Sequence, residues 1–134
     1  MPESDLIAAT QAERDSFAQQ IGQTVARKRP AVVTAGYNIN TGDYVAAANF
    51  RGSCAEACVI DALGGDASAV RFVNAVRPRD VAPPLSQVDI CLICEATYGR
   101  DAFVEPGTIF KSDTLFNQLG PYYDMGEEGN GSGG

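Results

Sequence analysis

Four residues in two short segments carry the chemistry that this sequence suggests. Cys54 and Glu56 lie in the segment 52–58, and Cys91 and Cys94 form a Cys-x-x-Cys pair. Three thiolates can hold a soft, redox-inert cation such as Zn²⁺ and leave a fourth tetrahedral position for water, the arrangement of catalytic zinc. Glu56 follows Cys54 too closely to be a convenient fourth ligand. The spacing therefore predicts a zinc site with Cys54, Cys91 and Cys94 as ligands and Glu56 as the residue that moves the protons of the water.

The composition favours a protein that binds small molecules. The 134-residue chain has a formal net charge of −7 and a pI near 4.4, whereas binding to DNA or RNA depends on Lys and Arg neutralising phosphates. It contains no His, so a metal site must use sulfur and oxygen donors, and hydrolases with an imidazole base are excluded. No apolar run is long enough to span a membrane and residues 1–5 do not resemble a secretion signal. We therefore expect a cytoplasmic protein with reduced cysteines, no membrane association and no nucleic-acid partner.

The hydrophobic pattern predicts an α/β domain over residues 1–125 and a flexible tail, rich in Gly and Glu, over 126–134. Both cysteine segments fall at the starts of predicted helices, which Ser53 caps in the first case. The further predicted elements are a first helix over 6–28 capped by Ser4 or Asp5, a β-hairpin over 31–39 and 44–50, a strand over 69–76, a loop over 77–88, helices over 54–63 and 91–98, and final strands at 103–104 and 108–110.

Cys-Ala-Glu at 54–56, followed by Cys-x-x-Cys at 91–94, resembles the cytidine deaminase superfamily, in particular the small cytidine deaminases and blasticidin S deaminase. The resemblance runs from about residue 30 to 123 and includes the strand 33–36, the turn glycine Gly42 and the C-terminal segment 114–123. It implies a three-layer α/β/α sandwich with a mixed sheet of about five strands. It also implies a homo-oligomer, with a tetramer expected.

The activity that the resemblance implies is zinc-dependent hydrolytic deamination of a cytosine-like base, with release of ammonia. The substrate would be a cytidine-type nucleoside or a nucleoside antibiotic such as blasticidin S. Asn49 lies where the family has the asparagine that contacts a ribose, and Tyr123 or Tyr122 corresponds to the C-terminal aromatic residue that reaches a neighbouring subunit. These positions are the expected substrate-binding residues on the nucleoside side.

Two positions depart from the family in ways that affect the substrate. Ala31 stands where an aromatic ring usually lies under the pyrimidine, and Arg51 stands where cytidine deaminases have a glutamate for the ribose hydroxyls. An arginine there suits a substrate that bears a carboxylate or phosphate, because a guanidinium binds such groups in a bidentate manner. A solvent-facing loop position for Arg51 is an equally good interpretation.

The compensation of the thiolate charge and two alternative functions remain open at this stage. Family members with three cysteines commonly carry a charge-compensating arginine where this chain has Ala57 and Glu95. Either another arginine, such as Arg51 or Arg71, or backbone amides would offset the thiolates, or activity is low. The first alternative function is a zinc-holding binding or structural protein of the same fold, without turnover. The second is a thiol-redox protein that uses Cys91 and Cys94. Cys58 is expected in the core and not among the ligands.

Overall fold

The structure, a computed structural model, describes residues 2–23, 32–49, 53–78 and 87–113. None of the helices in these ranges combines the length and the apolar character that crossing a bilayer requires. The elements in chain order are α1 (Glu3–Gly22), β1 (Val33–Asn38), β2 (Tyr44–Ala48), α2 (Ala55–Ala62), β3 (Val70–Phe72), β4 (Ala75–Val76), β5 (Gln87–Val88) and α3 (Leu92–Tyr98), with short 3₁₀ turns at Ala67–Ala69 and Arg100–Ala102.

Strand β1 is the centre of the sheet. All six of its residues are buried, and its β-branched and aromatic side chains suit a pleated, buried surface. The strand order is β2-β1-β4-β5, and β3 pairs with β1 as well. The predicted hairpin is confirmed: β2 runs antiparallel to β1, with Val33 opposite Ala48 and Tyr37 opposite Tyr44. Both α1 and α2 pack against this hairpin.

The strand predicted over 69–76 is present but interrupted at Val73 and Asn74, which separate β3 from β4. Both parts pair antiparallel with β1. At the interruption, side chains replace part of the ladder: Thr34 Oγ1 donates to the Val73 carbonyl at 3.1 Å, and the Asn74 amide donates to Glu105 Oε1 at 2.8 Å. Because the freed backbone groups are satisfied in this way, the break costs the sheet little.

The expectation of a mixed sheet is corrected. All the ladders between these strands are antiparallel, and parallel pairing among the described residues is confined to the single bridges Phe72–Phe103 and Ile90–Phe110. The predicted strands at 103–104 and 108–110 therefore contribute one bridge each. A turn between them, in which the Thr108 amide donates to the Glu105 carbonyl at 3.3 Å, keeps both segments short.

The other boundaries also shift. Helix α1 is capped by Pro2 and not by Ser4 or Asp5, because the Leu6 amide already donates to the Pro2 carbonyl at 3.0 Å. The predicted loop 77–88 ends in β5, which pairs with β4. The predicted helical residues 24–28 and the tail 126–134 lie outside the described ranges.

Two separate groups of buried apolar side chains hold the helices to the sheet. The α1 core comprises Ala18, Val33 and Val76, with Phe17, Ile21 and Ala48 against it. The site core joins α2, α3 and the bridge segments through Val59, Ile60, Val70, Phe72, Ile90, Cys94, Ala102, Phe103 and Phe110. The neighbouring β2 residues Ala47 and Ala48 pack into different cores, as the alternation of side chains along a strand requires.

Candidate metal centre

Helix α2 brings Cys54 to the sheet. Cys54 is itself the N-cap, with an extended backbone (φ −72°, ψ 158°), so the predicted cap, Ser53, lies one residue outside. The helix packs closely on β1 because Gly36 has no side chain. A Cβ at this position would lie 2.8 Å from both Val59 Cγ1 and the Arg71 carbonyl oxygen. The close approach buries Ala55 and Glu56 in the first turn of α2 and leaves Cys54 half-buried at its start.

Glu56 is buried, with 6% of its surface exposed. It lies in the first turn of α2, where a carboxylate interacts favourably with the helix dipole. Burial raises the pKa of its carboxyl group, while hydrogen bonds from its own backbone amide and from the Cys94 and Cys54 thiols oppose this rise. A carboxyl group with a raised pKa can hold or release a proton closer to neutral pH, as acid–base catalysis requires.

Cys94 lies at the centre of the site. Its Sγ atom is 3.3 Å from Cys54 Sγ and 3.8 Å from Glu56 Oε1. The donor atoms of these three residues, which we call the sulfur cluster, all lie within 4.8 Å of one another. Burial, followed by the neighbouring Glu56 charge, raises the pKa of the Cys94 thiol well above its usual range. The sulfur cluster thus gathers three acidic groups in a poorly solvated place, which a bound cation would favour in their deprotonated form.

Cys91 occupies a more exposed position beside the sulfur cluster. It is the N-cap of α3, and its Sγ accepts a hydrogen bond from the Cys94 amide at 3.4 Å. It lies outside the group of three close donors, in which Glu56 takes the place that the sequence had suggested for Cys91. Cys58 is also outside this group, and it is half-buried, so the expected place in the core is not confirmed. The ligand role of Cys91 stays a prediction.

The donor set suits zinc. Two thiols and a carboxylate are typical ligands of this ion, and tetrahedral Zn–S bonds of about 2.3 Å place two sulfurs about 3.8 Å apart. The observed 3.3 Å between Cys54 and Cys94 requires the pair to open by about 0.5 Å, a change that side-chain rotation can supply. Cys91, whose Sγ accepts a hydrogen bond from the Cys94 amide at 3.4 Å, lines the cavity beside this pair.

No arginine compensates the sulfur cluster among the described residues. Within these ranges, neither an ion pair nor a hydrogen bond joins a Lys or Arg side chain to its members. Arg71 donates instead to the Ser68 and Val70 carbonyls, and Glu95 pairs with Arg100. The Cys94 amide, which donates to Cys91 Sγ, is the kind of backbone compensation that can replace an arginine.

A cavity of about 290 Å³ opens onto the sulfur cluster. Asn49 is fixed at the cavity wall by two hydrogen bonds with Val32. Its side-chain Oδ1 accepts from the Val32 backbone amide at 3.0 Å, and its backbone amide donates to the Val32 carbonyl at 3.1 Å. Among the described residues, none accepts a hydrogen bond from the Asn49 side-chain NH₂ group. The described lining comprises Val32, Asn49, Ser53, Cys54, Ala55, Glu56, Ala75, Val88, Asp89 and Cys91.

Two residues at the site were missed by the sequence analysis. Asp89 lines the cavity two residues before Cys91, and that proximity alone could have indicated it. Tyr98 packs against Phe72, with ring centroids 5.4 Å apart, one helical turn after Cys94. Burial, with the nearby Cys54 thiol as the next cause, raises the pKa of Tyr98 to about 12. Their spacing from the Cys-x-x-Cys pair was the available signal.

The remaining predicted positions, Ala31, Arg51, Tyr122 and Tyr123, lie outside the described ranges. Comparisons with models of protein families, with curated proteins and with solved structures give no match to this chain. The function has to be inferred from the site itself and from the sequence pattern.

Proposed function

We propose that this chain is a zinc-dependent hydrolytic deaminase that removes ammonia from the cytosine-like base of a small molecule, either a cytidine-type nucleoside or a nucleoside antibiotic such as blasticidin S. The observation that carries the proposal is the sulfur cluster itself: the donor atoms of Cys54, Glu56 and Cys94 lie within 4.8 Å of one another at the starts of two different helices, and Cys54 and Glu56 line a cavity. A carboxylate beside thiolate ligands and an open cavity is the arrangement that hydrolysis with a metal-activated water requires.

In this proposal Cys54, Cys91 and Cys94 hold the ion. Zinc, when bound, supplies Lewis acidity that makes water a nucleophile near neutral pH. The Glu56 carboxylate accepts the proton of the attacking water and returns it to the departing amine, so that ammonia leaves and a carbonyl remains. The raised pKa of Glu56 suits this exchange, because burial weakens its preference for the charged form.

The cavity matches a small heterocycle better than a polymer. Its volume of about 290 Å³ is at the lower end of ligand pockets, and Val32, Ala75 and Val88 give it apolar walls. Asn49 would bind the sugar or an equivalent polar group through its NH₂. Arg51 would select a carboxylate or phosphate on the substrate, and an unchanged substrate preference in Arg51→Glu would contradict that role.

The three-layer architecture and the assembly belong to the same proposal. Packing of Ala47 and Ala48 into different cores supports helices on opposite faces of the sheet. A homo-oligomer, with four subunits expected, would let Tyr122 or Tyr123 contribute to a neighbouring site. Sedimentation or light scattering of the purified chain measures the number of subunits.

A second candidate is a zinc-holding binding or structural protein without turnover. The observation that favours it is the place of Glu56 inside the sulfur cluster, 3.8 Å from Cys94 Sγ. A carboxylate that completes the coordination with the three cysteines would close the shell and leave no position for water.

Ammonia release and zinc content together separate the two candidates. Zinc-replete protein is assayed with cytidine, deoxycytidine and blasticidin S. The variant Glu56→Gln is assayed in the same way, with Glu13→Gln as the matched control, because Glu13 is exposed on α1. The deaminase predicts release that Glu56→Gln abolishes while zinc stays bound. Loss of zinc in Glu56→Gln, with no ammonia from the wild type, would establish Glu56 as a ligand and favour the second candidate.

A further inference from the structure

We propose that Cys54 and Cys94 form a redox-sensitive dithiol, which hydroperoxides convert to an intramolecular disulfide. The two Sγ atoms are 3.3 Å apart, and a disulfide bond of about 2.05 Å requires them to approach by only about 1.3 Å more. The residues are 40 positions apart in sequence. Cys54 is the N-cap of α2, and Cys94 lies in the first turn of α3. The bond would therefore link α2 directly to the start of α3.

The two thiols differ in access. Cys54 is half-buried and lines the cavity, so a small hydroperoxide can reach its sulfur from solvent. Cys94 is only 2% exposed and lies behind it. This arrangement makes Cys54 the sulfur that reacts with the oxidant and Cys94 the sulfur that resolves the product.

The reaction balances in two steps. The Cys54 thiolate attacks the terminal oxygen of the hydroperoxide, the O–O bond breaks, and the alcohol (or water, from hydrogen peroxide) leaves with a proton. Cys54 is then a sulfenic acid. The Cys94 sulfur attacks Cys54 Sγ, the S–O bond breaks, and water departs with the Cys94 proton. The two thiols supply two electrons, and the hydroperoxide is reduced by two.

This pairing differs from the one that the Cys-x-x-Cys motif suggests. Cys91 Sγ accepts a hydrogen bond from the Cys94 amide, whereas the Cys94 sulfur contacts the sulfur of Cys54. The Cys91 thiol also interacts with the Cys94 thiol, but the sulfur–sulfur contact of 3.3 Å is the one between Cys54 and Cys94. Oxidation of this pair takes two donors from the sulfur cluster, so the disulfide and a bound cation exclude each other.

Peptide mapping tests the pairing directly. Cleavage after Lys and Arg places Cys54 and Cys58 together in peptide 52–71, and Cys91 and Cys94 together in peptide 80–100. The reduced, chelator-treated full chain is exposed to hydrogen peroxide, its remaining thiols are alkylated, and the digest is analysed by mass spectrometry. We expect the two peptides to be cross-linked and the number of free thiols per chain to fall from four to two.

Four variants assign the bond. The cross-link should persist in Cys58→Ser and in Cys91→Ser and should be lost in Cys54→Ser and in Cys94→Ser. Protein loaded with one equivalent of zinc before the peroxide should cross-link more slowly. An internal loop within peptide 80–100, a cross-link that Cys91→Ser removes, or thiols that never pair would each overturn the proposal. None of these readouts depends on deamination, so the result stands or falls separately from the proposed enzyme.

Discussion

Two buried polar groups of this protein differ in whether their charges are paired with opposite charges. The arginine network consists of Arg14, Asn74 and Glu105: Arg14 Nη1 donates to Glu105 Oε1 and to the Asn74 carbonyl, both at 3.0 Å, and Glu105 Oε1 also accepts from the Asn74 amide at 2.8 Å. The sulfur cluster contains two thiols and a carboxyl group, with no Lys or Arg bonded to them in the described ranges. The first group is neutralised from within, and the second is not.

The difference indicates what each group is for. A buried ion pair whose remaining hydrogen bonds are made fixes its surroundings, and the arginine network fixes the interruption between β3 and β4, next to the cavity-lining Ala75. Burial raises the pKa values of Glu56 and Cys94, and the neighbouring Glu56 charge raises that of Cys94 further, so the sulfur cluster is costly in its charged form until a cation binds. The comparison predicts that a bound metal ion stabilises the sulfur cluster and leaves the arginine network unaffected.

The largest effect should come from removing the central sulfur. Cys94→Ser replaces the thiol that contacts both other members of the sulfur cluster, and we expect zinc affinity to fall by at least about 100-fold, since even residues that only support metal ligands contribute about 10–100-fold. Competition with a chromophoric chelator measures the affinity. Cys58→Ser, which changes a half-buried cysteine outside the sulfur cluster, should keep wild-type affinity. Equal losses in the two variants would contradict the assignment.

Breaking the arginine network should reduce stability without changing the metal. Glu105→Ala removes one of the two carboxylates that pair with the Arg14 guanidinium in the described ranges, whose side chain is 10% exposed, and leaves the Asp15 carboxylate at 3.0 Å. We expect a loss of about 2 kcal/mol in the free energy of unfolding, since a hydrogen bond to a charged group contributes about 1.5–3 kcal/mol. Urea denaturation measures this loss. The same loss should appear with and without zinc, whereas a variant that also loses zinc affinity in the folded state would show that the two groups are coupled.

A methyl group at Gly36 should lower both the stability of the protein and its affinity for zinc. In Gly36→Ala the new Cβ would contact the Arg71 carbonyl and Val59 Cγ1 at 2.8 Å, so α2 must move away from β1, at a cost of about 1–3 kcal/mol. Because Cys54 and Glu56 lie at the start of α2, zinc affinity should fall together with stability. Unchanged affinity in the folded variant would show that the site does not depend on this close packing.

The smallest effect concerns alkaline pH. Burial, together with the hydrogen bond that its hydroxyl donates to Glu3 at 2.6 Å, raises the pKa of Tyr37 well above the usual value of 10.0. A raised pKa contributes stability that is present below pH 10 and is lost as the pH rises further, because the unfolded chain ionises first. At neutral pH Tyr37→Phe should cost about 1 kcal/mol through the lost hydrogen bond.

The comparison of Tyr37→Phe with the wild type should therefore change between pH 8 and pH 11. The stability difference should shrink as the pH passes 10, and it should be independent of zinc because Tyr37 anchors α1. Thermal unfolding at several pH values measures this. A difference that stays constant up to pH 11 would contradict the raised pKa of Tyr37.

Local patterns predicted the elements around the site better than the sheet as a whole. The hairpin, α2 and α3 follow from turn residues and periodicity, which are properties of adjacent residues. The break at Asn74 depends on Glu105, 31 residues later, and the antiparallel ladders depend on which strands meet. Neither can be obtained from local pattern. The place of Glu56 inside the sulfur cluster depends on how closely α2 and α3 approach, which the spacing of the cysteines does not determine.

A titration of zinc into reduced, metal-free protein, with ammonia release measured at each step, tests the central claim most directly. If the sulfur cluster is a deaminase centre, release from cytidine, deoxycytidine or blasticidin S should rise with occupancy and reach a plateau at one zinc per chain. A chain that holds one zinc and releases no ammonia from any of the three would contradict the deaminase and favour the binding or structural protein.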